Sequence, residues 1–228
     1  MYQYNDDSLM LHNDLYQINM AESYWNDGIH ERIAVFDLYF RKMPFNSGYA
    51  VFNGLKRVVN FIENFGFTNE DITYLKSIGY EEDFLNYLKD LKFSGNIKSM
   101  QEGEICFGNE PLLRVEAPLI QAQLIETILL NIINFQTLIA TKASRIRQIA
   151  THDTLMEFGT RRAQEIDAAL WGARAAFIGG FDSTSNVRAG KLFNIPVSGT
   201  HAHALVQTYG DEYIACLLYT SDAADERS

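Results

Sequence analysis

Hydrophobic positions in the first 150 residues recur at helical spacing in several segments, with strand-like segments between them. The spacing predicts helices at residues 12–27, 49–65, 81–91 and 121–149, the last with a buried apolar part. Thr68 followed by Asp71 predicts a capping box at the start of a further helix. Residues 33–40 and 97–118 are β-branched and aromatic, which is typical of strands. This mixture predicts an N-terminal α+β domain over residues 1–140.

After residue 150 the pattern changes to three units of strand, polar or glycine-rich turn, and helix. We predict the strands at residues 154–158, 176–178 and 195–198. Repeated units of this kind indicate an α/β parallel sheet or barrel, here over residues 141–215. A barrel takes about eight such units. Polar residues that we expect at the carboxyl ends of the strands are Arg161, Arg162, Asp182, Ser183, Ser185, Asn186, His201 and His203.

The chain is acidic, with 19 Lys and Arg against 29 Asp and Glu and a net charge of −10. This balance argues against general binding to nucleic acid or to an anionic membrane, but not against a small anionic substrate held by local arginines. Two cysteines provide neither a disulfide framework nor a cysteine-based zinc site, and they favour a cytoplasmic location. The uncharged stretch 127–141 is shorter than the roughly 20 apolar residues of a membrane helix, and no targeting segment is expected.

Two arginines follow the first predicted strand of the second region. Arg161 and Arg162 suit bidentate binding of carboxylate or phosphate, although surface ion pairing is an equal alternative. Phe158, at the strand end, could stack on a flat ring or belong to the core. The polar run 182–186, after Gly179 and Gly180, is interpreted first as a helix cap. The alternative is that Asp182 or the hydroxyl groups of the run bind a ring substituent or phosphate.

Two histidines follow the third predicted strand. His201 and His203 stand two residues apart behind Gly199 and Thr200. This spacing is compatible with a metal site, with acid–base or nucleophilic chemistry, or with a structural histidine. Because no third ligand is evident nearby, we predict no protein-bound metal.

The C-terminal segment does not continue the strand and helix pattern. Residues 216–226 read CLLYTSDAADE, which looks like the in-frame translation of adapter DNA from transposase-based sequencing libraries. We therefore expect native sequence to stop at about Ala215, residues 216–228 to be a non-native tail, and the chain to be a fragment. An ordinary disordered terminus is the alternative.

Five strings occur in an order that is specific to one family: NDLYQ at 13–17, FRKMPF at 40–45, EFGTRRAQ at 157–164, GGFDSTSN at 179–186 and GTHAH at 199–203. From about residue 9 to 215 the chain resembles the nicotinate phosphoribosyltransferases. The resemblance implies a type II phosphoribosyltransferase fold, truncated here, with an N-terminal α+β domain and then the first βα units of an irregular α/β barrel.

The activity implied by the resemblance is the first step of NAD salvage. Nicotinate, phosphoribosyl pyrophosphate and ATP give nicotinate mononucleotide, pyrophosphate, ADP and phosphate. The resemblance also implies Mg²⁺ with the phosphate-bearing substrates, without assigned protein ligands, and a cytoplasmic homodimer with shared active sites. Because the later barrel strands are missing, we expect this fragment alone to be inactive and poorly soluble.

The resemblance carries over to individual residues. His203 matches the histidine that ATP phosphorylates, and His201 receives no role. Phe158 matches a ring that stacks on the pyridine, and Tyr16 matches a tyrosine contributed by the partner subunit. The other implied substrate-binding residues are Arg161, Arg162, Asp182, Ser185 and Thr200.

Two alternatives remain open. The first is the related nicotinamide phosphoribosyltransferase, which differs in the free base that competes for the pocket. The second is a non-catalytic module that binds nicotinate or a partner chain.

Overall fold

The computed structural model describes residues 9–225, with side chains described through residue 219. The helices are α1 Leu15–Asn26, α2 Leu55–Glu63, α3 Asn69–Ser77, α4 Glu82–Asp90, α5 Leu119–Ile149, α6 Glu165–Ile178, α7 Val187–Phe193, α8 His203–Tyr209 and α9 Glu212–Asp225. The strands are β1 Ile33–Leu38, β2 Ala50–Val51, β3 Asn96–Ser99, β4 Ile105–Cys106, β5 Leu113–Pro118, β6 Met156–Glu157 and β7 Ser183–Thr184.

The N-terminal part combines antiparallel strands with helices, as predicted. β5 lies between β1 and β3, and β2 pairs with β4. The capping box at α3 is confirmed, since the Asp71 amide donates to Thr68 Oγ1 at 3.1 Å and the Thr68 amide donates to Asp71 Oδ2 at 2.8 Å. The predicted helices 12–27, 81–91 and 121–149 are confirmed as α1, α4 and α5.

The long helix α5 forms the centre of the core. It packs against α1, α2, α6 and the strands β1, β2 and β5. Large buried side chains gather around it: Phe52, Phe84, Leu88, Leu112, Ile120, Leu124, Ile128 and Ile133. The predicted buried core helix is therefore confirmed.

By length and composition, α5 could also cross a membrane, and it is the one helix of the described residues that could. The expectation that no segment is long and apolar enough was wrong, because the helix extends well beyond the stretch 127–141 in both directions. In the most apolar 18-residue stretch of α5, 56% is buried inside the protein. Such burial is typical of a core helix.

The predicted helix 49–65 is wrong in its first part. Ala50 and Val51 form β2, and the helix begins only at Leu55. Gly54, with a φ of 110°, separates the two elements in a left-handed conformation that glycine tolerates best. The Val51 amide donates to Thr141 Oγ1 of α5 at 2.9 Å, so a contact distant in sequence holds this short strand.

The second region begins a parallel sheet, as predicted, but with a different second strand. β6 and β7 are parallel, and Thr184 forms an isolated parallel bridge to Val197. The predicted strand 176–178 is wrong, because these residues are the last turn of α6. The alanine-rich sequence of α6 favours a helix, and its buried face packs against α5.

The domain limits at 140 and 215 stay predictions. α5 runs through residue 140 without a break. α9 begins at Glu212, before the predicted limit at 215, and continues as far as Asp225 within the predicted tail. Residues 1–8 of the first domain and residues 226–228 of the tail lie outside the described residues.

Candidate functional site

Three chain segments run side by side in the same direction and end at one edge of the structure. The Ser185 amide donates to the Glu157 carbonyl at 2.9 Å, and the Ser198 amide donates to the Thr184 carbonyl at 3.0 Å. Because the segments are parallel and in register, the residues that follow them share this edge. The structure thus places Phe158, Ser185 and the Gly199–Thr200 turn at neighbouring strand ends.

The turn after β6 carries the predicted ring-stacking and anion-binding side chains. Residues Thr160–Arg162 form a short 3-10 helix, and the Arg162 amide donates to the Gly159 carbonyl at 2.8 Å. Phe158 is 44% exposed, so it is not a core aromatic. Arg161 and Arg162 are exposed, and neither forms an ion pair with any carboxylate of residues 9–219. Both guanidinium groups are therefore available to an anion.

Asp182 lies at the beginning of β7, whereas we expected it at a carboxyl end. The reason is that the strand occupies residues 183–184 and not 176–178. Its Oδ2 accepts hydrogen bonds from the Leu155 amide at 2.7 Å and from Arg147 Nη2 at 2.5 Å, which lower the pKa of the carboxyl group. The predicted substrate contact of Asp182 stays a prediction.

The residue that caps the following helix is Asn186. Its Oδ1 accepts from the Ala189 amide at 3.0 Å at the start of α7. The helix-cap interpretation of the run 182–186 is therefore confirmed, with Asn186 as the capping residue, because α7 begins at Val187.

The two histidines belong to the turn that follows the third parallel segment. His203 is the first residue of α8 and is exposed, and the exposed His201 ring lies 5.3 Å from the Tyr219 ring. In the described part of the chain, no group of three or more His, Cys, Asp or Glu side chains could hold a metal ion.

Tyr16 lies apart from the other predicted site residues. It is 55% exposed on α1 and lines a groove of about 460 Å³ with Arg41 and Tyr39, beside α5. A different cleft, also of about 460 Å³, adjoins the arginine turn and is lined by Thr160, Ala163, Glu165, Ile166, Ala169, Leu170, Asn186 and Arg188. Within one chain, these two openings share no residue.

Sequence reasoning missed two residues of this edge. The carboxylate of Glu157 bonds to the Gly159 amide and to Thr184 Oγ1, and Thr184 is fully buried. The only sequence signal was an acidic residue that ends a strand directly before an aromatic residue and a glycine. The hydrogen bond between Glu157 and Thr184 joins two strands and could not be inferred from the sequence of either strand alone.

Comparison with known proteins points to one family. Residues 11–134 match the model of the nicotinate phosphoribosyltransferase (NAPRTase) N-terminal domain. The chain is 63% identical over 225 residues to the nicotinate phosphoribosyltransferase of Bacillus subtilis, covering 98% of this chain and 46% of that protein. The chain thus spans less than half the length of this relative.

Solved structures agree on the fold. The crystal structure of human nicotinic acid phosphoribosyltransferase matches with a TM-score of 0.81 and 39% identity, over 86% of this chain and 40% of that one. A nicotinate-nucleotide pyrophosphorylase from Pyrococcus furiosus matches with a TM-score of 0.76 and 24% identity, over 94% of this chain and 48% of that one. The second likeness bears on the fold alone.

Proposed function

Because the chain belongs to the nicotinate phosphoribosyltransferase family, we propose that the whole protein makes nicotinate mononucleotide and pyrophosphate from nicotinate and phosphoribosyl pyrophosphate. ATP and water are converted to ADP and phosphate in the same cycle. The observation that carries this proposal is the strand edge where an exposed Phe158 ring stands beside Arg161 and Arg162, which form no ion pair with a carboxylate of residues 9–219. An aromatic face beside guanidinium groups suits a flat, anionic pyridine carboxylate.

The chemistry needs positioning more than it needs a protein nucleophile. The pyridine nitrogen forms a bond to ribose C1 while the bond from C1 to the pyrophosphate oxygen breaks, through a state with positive charge on the sugar. Phe158 holds the ring plane, the arginines hold anionic groups, and the Ser185 and Thr200 hydroxyls bind polar groups of the substrates. Holding both reactants in line supplies a large part of the rate acceleration.

ATP acts through His203. Its imidazole takes the terminal phosphoryl group, so that a nitrogen–phosphorus bond forms as ADP leaves, and water later releases phosphate. The exposed position of His203 at the start of α8 supports this proposal, since the ring is open to a nucleotide. A phosphate there adds charge and acceptor oxygens that reorganise the groups around it.

The protein acts as a homodimer in which Tyr16 of one copy covers the pyridine in the site of the other. The separation of the Tyr16 groove from the arginine turn supports this arrangement, because this groove and the cleft beside the arginine turn share no lining residue. Tyr39 and Leu130 beside Tyr16 are each 45% exposed, which provides apolar area for a second copy.

Magnesium enters with the substrates. The described residues contain no cluster of metal ligands, and no protein ligand is assigned to the ion. Mg²⁺ commonly binds through substrate phosphates with few protein ligands. The proposed reaction takes place in the cytoplasm.

The test is a chimera in which residues 9–215 replace the matching part of the Bacillus subtilis nicotinate phosphoribosyltransferase. The chimera should form nicotinate mononucleotide, prefer nicotinate to nicotinamide, and carry acid-labile phosphate after exposure to ATP. His203→Ala should abolish the phosphate and the ATP coupling, whereas Lys76→Ala, an exposed residue of α3, should change neither.

Preference for nicotinamide would overturn the substrate assignment. Tight binding of nicotinate by a folded chimera without turnover would favour the binding module. Full ATP coupling in the His203→Ala chimera would contradict the phosphohistidine step.

A further inference from the structure

The carboxylate of Glu157 holds two loops of the strand edge at once. Its Oε1 accepts from the Gly159 amide, and its Oε2 accepts from Thr184 Oγ1 at 2.7 Å. The Thr184 hydroxyl in turn accepts from the Asn186 amide at 3.0 Å. One chain of hydrogen bonds therefore runs from the turn after β6 to the loop after β7.

The main chain reinforces the same connection. Glu157 is paired with Thr184 in the parallel sheet, and its carbonyl accepts from the Ser185 amide. Thr184 has no exposed surface, so its hydroxyl bond to Glu157 is shielded from water. A charged acceptor makes such bonds stronger than bonds between neutral groups.

The backbone of Gly159 lies close against this carboxylate. A Cβ atom built at Gly159 would lie 2.6 Å from Glu157 Oε1, closer than a real contact. The backbone φ of Gly159 is −83°, so a left-handed conformation does not require glycine here. The absence of a side chain instead makes room for the carboxylate against the backbone.

Glu157 is not one half of an ion pair among the described residues. Both of its oxygens are used within the protein, which argues against direct contact with an anionic substrate. The turn that it holds carries Phe158 and Arg161, and the loop on the other side begins with Ser185. These are the side chains to which the proposed function assigns the pyridine and the anionic groups.

We infer that Glu157, through Thr184, is a positioning residue that sets the spacing between the Phe158–Arg162 turn and the Ser185 loop, and with it the affinity for nicotinate. This inference rests on the proposed function. Neither residue takes part in the bond changes. A displacement of about 1 Å at such a turn can change a rate about a hundredfold.

The experiment uses the chimera defined above with Glu157→Ala, Glu157→Gln, Thr184→Val and Thr184→Ser. Glu157→Ala and Thr184→Val should raise KM for nicotinate about tenfold or more, with a smaller change in kcat. Thr184→Ser keeps the hydroxyl and should restore KM. Glu157→Gln keeps one acceptor oxygen and should lie between the wild type and Glu157→Ala.

The double variant Glu157→Ala/Thr184→Val should be little worse than Glu157→Ala alone, because both remove the same chain of bonds. The matched control is Asp167→Asn, which removes a carboxylate on the neighbouring helix α6 that pairs with Arg57 at 2.7 Å. It should leave KM for nicotinate unchanged.

A second readout does not depend on activity. Hydrogen exchange of peptides covering residues 156–164 should speed up in Glu157→Ala and Thr184→Val, while peptides from α5 keep their protection. If the wild-type chimera made no nicotinate mononucleotide, the proposed function would fail, yet exchange would still report whether Glu157 holds the turn.

Two results would overturn the inference. One is a loss of kcat in Glu157→Ala with unchanged exchange and a neutral Thr184→Val, which would make Glu157 a catalytic residue. The other is a lowered melting temperature with unchanged KM in the folded fraction, which would make it only a structural one.

Discussion

Arg147 at the end of α5 forms an ion pair with Asp182 at the start of β7, with Nη2 and Oδ2 2.5 Å apart. The same guanidinium donates to the carbonyl oxygens of Gly180, Ala150 and Asp153 at 2.7 to 2.9 Å. Asp182 also accepts from the Leu155 amide. One pair of side chains thus fastens the beginnings of β6 and β7 to the core helix, below the edge that carries the candidate site.

Replacement of Arg147 should destabilise the first residues of β6 and of β7. Arg147→Ala should lower the melting temperature of the 228-residue chain, and Arg147→Lys should recover only part of it, because an ammonium group cannot replace the guanidinium fork. Asp182→Asn should weaken the same contact. Thermal unfolding of the single and double variants gives the coupling energy. Additive effects would show that the two residues do not act together.

The ion pair between Glu102 and Arg174 should make stability depend on pH. The two side chains are 16% and 12% exposed, and Nη2 lies 2.6 Å from Oε2. Burial tends to raise the pKa of Glu102, but Arg174 and the amides of Gly54 and Lys56 outweigh it and lower the pKa below 4.5. The stabilisation is therefore complete above pH 4.5 and is lost as the pH falls through the lowered pKa.

Arg174→Ala should cost about 3 kcal/mol at pH 7, since it leaves a largely but not fully buried carboxylate without its guanidinium partner. Glu102→Gln should cost less and should flatten the decline in stability on the acidic side. Urea unfolding at pH 7, 5 and 3 measures both effects. An unchanged acid decline in Glu102→Gln would assign the pH dependence to other carboxylates.

Gly179 should not tolerate a side chain. A Cβ there would collide with the Ala140 carbonyl oxygen and lie 2.7 Å from Ala143 Cβ, both on α5. Gly179→Ala should therefore push α6 away from α5 at a cost of about 1 to 3 kcal/mol. Gly48→Ala is the matched control, because a Cβ at Gly48 meets nothing within 4 Å. Equal stability of the two variants in urea would contradict the close packing.

The capping box of α3 should contribute a measurable part of local stability. Thr68→Ala removes the acceptor for the Asp71 amide and should cost about 1 kcal/mol, whereas Thr68→Ser keeps the oxygen and should cost much less. Hydrogen exchange at the first turn of α3 would locate the effect. An equal loss of stability in both variants would contradict the capping role and would indicate that packing of the Thr68 methyl group matters.

Features that depend on neighbouring residues were predictable from the sequence. The Thr68–Asp71 capping box lies within one turn, and the core part of α5 is indicated by its apolar composition. The ordered motifs from residue 13 to residue 203 are enough by themselves to indicate the family. The capping box and the apolar helix depend on residues that are close together in the chain. The family resemblance depends on the residue types of the motifs and on their order.

The tertiary structure decided what depends on distant partners. Residues 176–178 form an apolar run that suits either a strand or a helix; they continue α6, which packs against α5. Because residues 176–178 are helical, the strand lies at residues 183–184 instead. Asp182 is therefore at the start of the strand and contacts Arg147, which is 35 residues earlier in the chain. Glu157 and Thr184 are 27 residues apart and meet only because β6 and β7 pair. Local propensity determines which elements can form, but contacts across the core select among them, since burial and hydrogen bonding outweigh the small differences between local conformations.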